Sequence, residues 1–476
     1  MSSSAFGLEI LDIRSIRQAK GMTLKSFASL FQVKEQELKK LERGFKIPNT
    51  KLVKDIANYF SVDYKLIKIA QEELYKNQTT GEGYVTSQST SNQIIPRRKE
   101  PTDSKVPILD IFCGIGGFSH GFELTGRFQV VAGVDLLQDR VETFYLNHDY
   151  AHAYCYDIYD LKPELLLQNI PKPKIIIGGS PCQGFSSIRP FRSININDKR
   201  NTLFEQFAYY VSILTPDWFV LENVVGLLTH KNGQTLNLVV SAFEAIGYKV
   251  NYKVLNGALY GLPQNRERLF IVGNNKKIDF AFPEPTHYYN FQSMAKGNGV
   301  KNNGDLFSQE LPIALTIMDA IHDLPKLESG ESSTTYPQNI SLTDYERRMR
   351  GNETLLTLHT STLHSKEMME IIRQSGSNIN SVAHLVTSGF STSYSRLEAD
   401  RPSVTITVNF VHPSSNKCIH PYQNRALTPR EGARLQSFED NFKFYGTKSQ
   451  IVKQIGNAVP PLLGKVIADA ILEHGY

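Results

Sequence analysis

Sulfur is scarce in this chain. Four cysteines (Cys113, Cys155, Cys182 and Cys418) in 476 residues are too few for a disulfide framework, and none are spaced as Cys-x-x-Cys. No histidine cluster stands at zinc-ligand spacing, so no metal site is expected. Long apolar runs are also missing. None reaches the roughly 18 residues that cross a bilayer, which argues against a membrane span. The opening residues "MSSSAFGLEILDIRSIRQAKG" carry no signal-peptide core, and a cytoplasmic protein is expected. Charge of one sign is in short supply too. The 52 Lys and Arg against 47 Asp and Glu leave +5, which permits nucleic acid as a partner without arguing for it. The remainder, 41% hydrophobic and 21% charged, is ordinary globular composition at a length that allows several domains.

Residues 1–75 read as short helices. "EILDIRSIRQAKG" runs to a glycine, "TLKSFASLF" starts at the N-cap Thr23, and "KEQELKKLERG" follows a break at Gln32 and Val33. "NTKLVKDIANYF" and "DYKLIKIAQEEL" supply two more. Helix, tight turn, helix within a small bundle is the helix-turn-helix plan. Residues 76–104 are polar and without period, and read as a flexible linker. From 105 to 285 strands alternate with helices, beginning with an apolar strand, a turn containing Gly114, Gly116 and Gly117, and a helix. Asp135 ends the next strand. A glycine turn with an acidic residue some twenty positions on points to a nucleoside-containing cofactor in a doubly wound α/β sheet. Residues 286–420 lose that alternation and read as an inserted, loop-rich domain. Residues 421–476 return to regular structure.

In "GGSPCQGFSS", residues 178–187, Cys182 follows a strand end and a proline. With disulfide and metal removed, a buried thiol and an exposed nucleophile remain, and the loop setting favours the nucleophile. Glu222 follows the apolar run "WFVL". Arg266 and Arg268 stand at alternate positions of "QNRERLF", on one side if this is a strand.

From Val106 onward the chain resembles the C5-cytosine DNA methyltransferases. The motifs are "DIFCGIGGFSHGFE", "VD" at 134–135, "YDI" at 156–158, "GGSPCQGFS", "ENV" at 222–224, "QNRERLF", "RALTPREGARLQSF" and "QIGNAVPP", in family order. The resemblance implies a Rossmann-like methyltransferase sheet with an inserted target-recognition domain, S-adenosylmethionine as cofactor and double-stranded DNA as substrate. It gives Cys182 the attack on cytosine carbon 6, Glu222 the ring nitrogen, and Arg266 and Arg268 the cytosine carbonyl, the Glu222 carboxylate and nearby backbone. Phe112 is implied for the adenine face, Gly114, Gly116 and Gly117 for close backbone approach, Asp135 for the ribose, Asp157 for the adenine amino group and Asn457 for the methionine end. Where Leu136 stands, the family often has a large aromatic. Gln183, Ser186 and Arg189 fall in the loop expected to close over a flipped base. "DRPSVTIT" resembles a recurrent patch of the target-recognition domain, with Thr405 and Thr407 as DNA contacts.

The N-terminal "SFASLFQVKEQELKKLERGFKIPN" resembles the phage-repressor type of helix-turn-helix, which implies operator DNA met by Lys34, Gln36 and Lys39. Together these resemblances suggest the modification enzyme of a restriction-modification system, with a cognate endonuclease as partner and control of its own operon. A tRNA cytosine methyltransferase, or a regulator using the enzyme portion as a platform, are the alternatives.

Overall fold

The computed structural model describes residues 12–20, 22–42, 46–79, 92–179, 203–291, 293 and 311–476. Contacts divide the chain into two units, Met1–Ser89 and Thr90–Tyr476.

The first unit has five described helices: α1 Ile13–Ala19, α2 Leu24–Leu30, α3 Glu35–Glu42, α4 Thr50–Phe60 and α5 Tyr64–Thr79. Side chains satisfy the free amides at two starts. Thr23 Oγ1 accepts from the Ser26 amide at 3.1 Å, and Asn49 Oδ1 from the Leu52 amide at 2.7 Å. Between α2 and α3, Gln32 takes a φ of 53° and turns the chain. Phe27, Leu38, Leu41 and Ile56 form the core, while Lys34 just before α3 and Gln36 and Lys39 within it are exposed. Arg17 grips Glu42 through two bonds of 2.6 and 2.9 Å, tying α1 to α3.

The second unit is built on an eight-stranded sheet. Its strands are β1 Gln93–Ile95, β2 Val106–Ile111, β3 Phe128–Asp135, β4 His152–Cys155, β5 Ile175–Gly179, β6 Trp218–Asn223, β7 Lys249–Asn256 and β8 Glu267–Asn274. Their order is β1-β4-β3-β2-β5-β6-β8-β7. Strands β2 to β6 are parallel, and β3 and β6 are buried along their whole length, as strands covered on both faces must be. Strand β8 is antiparallel to both β6 and β7. The ten residues that join β7 to β8 are too few for a crossover helix, so the chain turns straight back. Phe118, Phe122, Phe144 and Trp218 belong to one apolar cluster, and Phe207, Tyr210, Phe219 and Phe243 to another.

The stretch expected to be linker over 76–104 is partly structured. Gln93–Ile95 pairs antiparallel with β4 and makes an edge strand, because "QII" brings two large apolar residues to an otherwise polar segment. Beyond 311 regular structure is sparse. The strands there are two or three residues long, and one of them, Ser403–Val404, pairs with Gln264–Asn265. The chain then returns to the sheet through helices Lys448–Asn457 and Pro461–Glu473. By length and composition Lys448–Glu473 would suffice to cross a membrane, but it is broken at Pro460 and mostly buried within the protein.

Candidate active site

Five parallel strands deliver the sequence-predicted residues to one edge of the sheet. In spatial order, the carboxyl ends of β4, β3, β2, β5 and β6 lead to Asp157, Asp135, the Phe112–Gly117 loop, Gly179 and Glu222. The chain crosses from one half of the sheet to the other between β2 and β5, and ligands of such sheets bind outside the strand ends at that reversal.

The glycine loop is tight. Phe112 has a φ of 62°, uncommon for a side-chain-bearing residue, and Gly114 and Gly116 have 53° and 83°. The three glycines differ in what surrounds them. A Cβ on Gly116 would lie 2.2 Å from His148 Nε2, and one on Gly117 would lie 2.4 Å from the Val459 carbonyl. Packing within the protein therefore requires those two. At Gly114 no atom of the described residues stands within 4 Å, which leaves open space among them beside the loop.

Asp135 braces the same loop. Its Oδ2 accepts from the Gly114 amide at 3.0 Å and its Oδ1 from the Leu137 amide at 2.9 Å. A carboxylate has about four acceptor positions, so two bonds leave capacity for a ribose hydroxyl. Asp157 is half-buried, with its Oδ1 accepting from the Tyr159 amide at 3.1 Å. Asn457 is exposed at the end of its helix. Open space at Gly114, a pinned carboxylate at Asp135 and a second at Asp157 suit the ribose and adenine of a nucleoside cofactor.

One residue that sequence reasoning missed lies beneath the loop. Asp110, the last but one residue of β2, is buried and accepts from Ser119 Oγ at 2.5 Å. Burial pushes its pKa from an ordinary 3.8 up to about 8, and the Ser119 hydrogen bond opposes this. Its only sequence signal was a charge inside the apolar run "ILDIF".

The other half of the edge holds charged groups in contact. Glu222 is buried at the end of β6, and Arg268 Nε approaches its Oε1 to 2.9 Å. Gly179 is the register partner of Glu222, and a Cβ there would lie 3.2 Å from Oε2. One carboxylate oxygen thus meets a guanidinium while the other faces the strand end that leads toward Cys182. Cys182, Gln183, Ser186 and Arg189 lie outside the described residues.

Arg266 behaves differently from Arg268. It stands between two strands, fully enclosed, and donates to the carbonyls of Ile406 at 3.1 Å and Ala458 at 3.0 Å. It therefore fastens "VTIT" and "GNAV" to the sheet. Burial lowers the pKa of both arginines, and Glu222 offsets part of that shift. The hydroxyls expected to meet DNA have partners within the protein: Thr405 Oγ1 donates to the Asn265 carbonyl at 3.0 Å, and Thr407 Oγ1 accepts from Asn416. Gln264, whose role the sequence did not reveal, knits the same region together. Its amide donates to the Leu435 carbonyl and Gln436 Oε1, both at 2.9 Å, and accepts from the Ile406 amide.

The family description of C-5 cytosine-specific DNA methylases matches residues 106–473, which span this whole edge. The chain belongs to that family. A helix-turn-helix description matches residues 13–67. The type II methyltransferase M1.HphI of Haemophilus parahaemolyticus is 35% identical over 372 residues, covering 77% of this chain and 86% of that protein. The type II methyltransferase M.AgeI of Thalassovita gelatinovora is 30% identical, covering 76% of this chain and 98% of that protein. Among solved structures, an Escherichia coli prophage protein assigned as a DNA modification methyltransferase aligns with a TM-score of 0.59 at 26% identity, covering 78% of this chain and 99% of its own. The protein is thus a DNA (cytosine-5)-methyltransferase, and S-adenosylmethionine is the methyl donor of its family.

Proposed function

We propose that this methyltransferase is the modification enzyme of a restriction-modification system, acting at one DNA site with Cys182, Glu222, Arg266 and Arg268 as its chemical centre. The observation that carries the reading is the Glu222–Arg268 pair at the sheet edge, with Glu222 Oε2 turned toward the strand that leads to Cys182. Carbon 5 of cytosine is a poor nucleophile. The Cys182 thiolate adds to carbon 6, which makes carbon 5 electron-rich enough to take a methyl group. S-adenosylmethionine supplies that methyl group. The addition puts negative charge on the ring, which Glu222, held by Arg268, relieves at ring nitrogen 3, and once carbon 5 is methylated the loss of its proton expels the Cys182 thiolate and restores the ring. Arg266 holds the floor of the site through Ile406 and Ala458. A cytosine in duplex DNA reaches this edge only when flipped out, and the loop with Gln183, Ser186 and Arg189 closes over it.

In this reading residues 1–75 form an operator-binding domain, 105–285 and 421–476 the catalytic domain, and 286–420 the target-recognition domain. Support for the operator role comes from Lys34 just before α3 and Gln36 and Lys39 within it, all exposed. Bisulfite sequencing of DNA from cells expressing the protein should find one short motif methylated at one cytosine. Cys182→Ser should abolish the signal, and retained methylation would contradict the mechanism. Lys34→Ala with Lys39→Ala should weaken binding to the protein's own promoter and leave that methylation unchanged. Promoter binding unaffected by the pair would remove the operator role.

A further inference from the structure

We propose that residues 93–99 form a strap that positions the cofactor loop through His148, and so act in S-adenosylmethionine binding. The inference rests on the methyltransferase reading above. The strap precedes the family-matched segment, which begins at residue 106, so nothing in the family match assigns it a role.

The strap holds both ends of one turn. Strand β1 registers Gln93 opposite Cys155 and Ile95 opposite Ala153, along the strand that leads into Asp157. Past it, Arg97 donates to the Asn169 carbonyl at 2.9 Å and approaches His152 Nε2 at 3.0 Å. Arg98 and Lys99 then converge on Asp149. Both backbone amides donate to its carbonyl, at 2.9 and 3.0 Å. Both side chains hold its carboxylate, at 2.5 and 2.6 Å.

The residue before Asp149 is His148, whose side chain is fully enclosed. Its Nδ1 donates to Glu123 Oε2 at 2.8 Å, since a carboxylate can only accept there. Among the described residues its Nε2 has no partner, and it faces Gly116, where an added Cβ would meet it at 2.2 Å. His148 is therefore the wall against which the glycine loop turns, and Asp149 is the point by which the strap fixes that wall. A strap that slips releases His148, and the loop loses the conformation that receives the cofactor. His148, Arg98 and Lys99 are positioning residues.

The test uses full-length protein titrated calorimetrically with S-adenosylhomocysteine, with no DNA present. Replacing both strap cations (Arg98→Ala with Lys99→Ala) should raise Kd about fivefold, the scale of a partly exposed charge cluster. The conservative pair (Arg98→Lys with Lys99→Arg) should restore binding to within about twofold of wild type. His148→Ala should raise Kd by about tenfold, and adding it to the strap variant should weaken binding no further than His148→Ala alone. In steady state the strap variant should raise KM for the cofactor and leave kcat and KM for DNA unchanged. Unchanged Kd in the strap variant would overturn the proposal, as would a combined variant whose loss is the product of the two. A wild type that binds the probe but methylates no cytosine would overturn the functional reading instead, while the strap comparison would still be readable.

Discussion

In the sheet, β5 lies between β2 and β6 and its backbone is paired with both neighbours in register. Between residues 311 and 447 strands pair over two or three residues at most, and buried arginines take several of the remaining carbonyls. Arg425 donates to the carbonyls of Leu327 and Ala426, Arg430 to those of Thr357, Glu439 and Asp440, and Arg434 to that of Ala320. All three guanidiniums are fully enclosed. Their charge is balanced by acids in the same region: Arg425 with Glu431 at 2.7 Å, and Arg434 with Asp440 at 2.7 Å and with Asp323. Burial alone would raise the pKa of Glu431, but the charge and hydrogen bonds of Arg425 hold it well below the usual carboxylate range. A guanidinium has five donors in a fixed plane, enough to satisfy several carbonyls that point in irregular directions. Regular backbone satisfies itself and needs only apolar cover. Irregular backbone inside a protein needs side chains with many donors, and those must bring their counter-charges with them.

This contrast orders the expected effects of substitution. Arg434→Met should be the costliest, about 3–5 kcal/mol by denaturant unfolding, because it leaves Asp323 buried without its guanidinium and Asp440 with only Arg430 and Tyr336. Ile177→Ala, at the centre of β5 and fully buried, should cost about 2–4 kcal/mol, since it leaves a cavity but no unpaired charge. If Arg434→Met proved cheaper than Ile177→Ala, the irregular region would not depend on its arginines as described.

Below about pH 4 Asp110→Asn should have the smallest effect of the three, and as pH rises above that the balance should move in favour of the variant. The folded protein keeps the Asp110 proton up to about pH 8, whereas the unfolded chain releases it near 3.8. This group's contribution to stability is therefore full below 3.8, falls as pH rises and is gone above about 8. Thermal unfolding followed across that window should show the wild type losing Tm relative to Asp110→Asn. Parallel curves for the two proteins would show that Asp110 does not titrate in this range.

The same contrast explains what could be read from sequence. Strand ends and glycine turns leave local signals, so Asp135, Glu222 and the Phe112–Gly117 loop could be named, and the sheet brings them to one edge. Arg268 was legible by its alternation with Arg266. Their division of labour was not, because it depends on Ile406 and Ala458, more than a hundred residues away in sequence. Gly116 and Gly117 were read as sites of ligand approach, but the space beside them holds His148 and Val459, which only the tertiary fold reveals. Strand β1 escaped notice because three residues are too short for any period to show. The buried arginines of "RALTPREGARLQSF" could be recognised as a motif, but their enclosure follows from long-range packing that no local pattern encodes.

Cys182 is assigned the attack on cytosine at the edge where Glu222 and Arg268 meet. Duplex DNA carrying 5-fluorocytosine at the methylated position, incubated with the protein and S-adenosylmethionine, tests it most directly when the trapped complex is digested and its peptides are weighed. A covalent nucleotide adduct is expected on the peptide that contains Cys182, and none in Cys182→Ser. An adduct on Cys113, Cys155 or Cys418, or none at all on DNA that the protein demonstrably methylates, would contradict it.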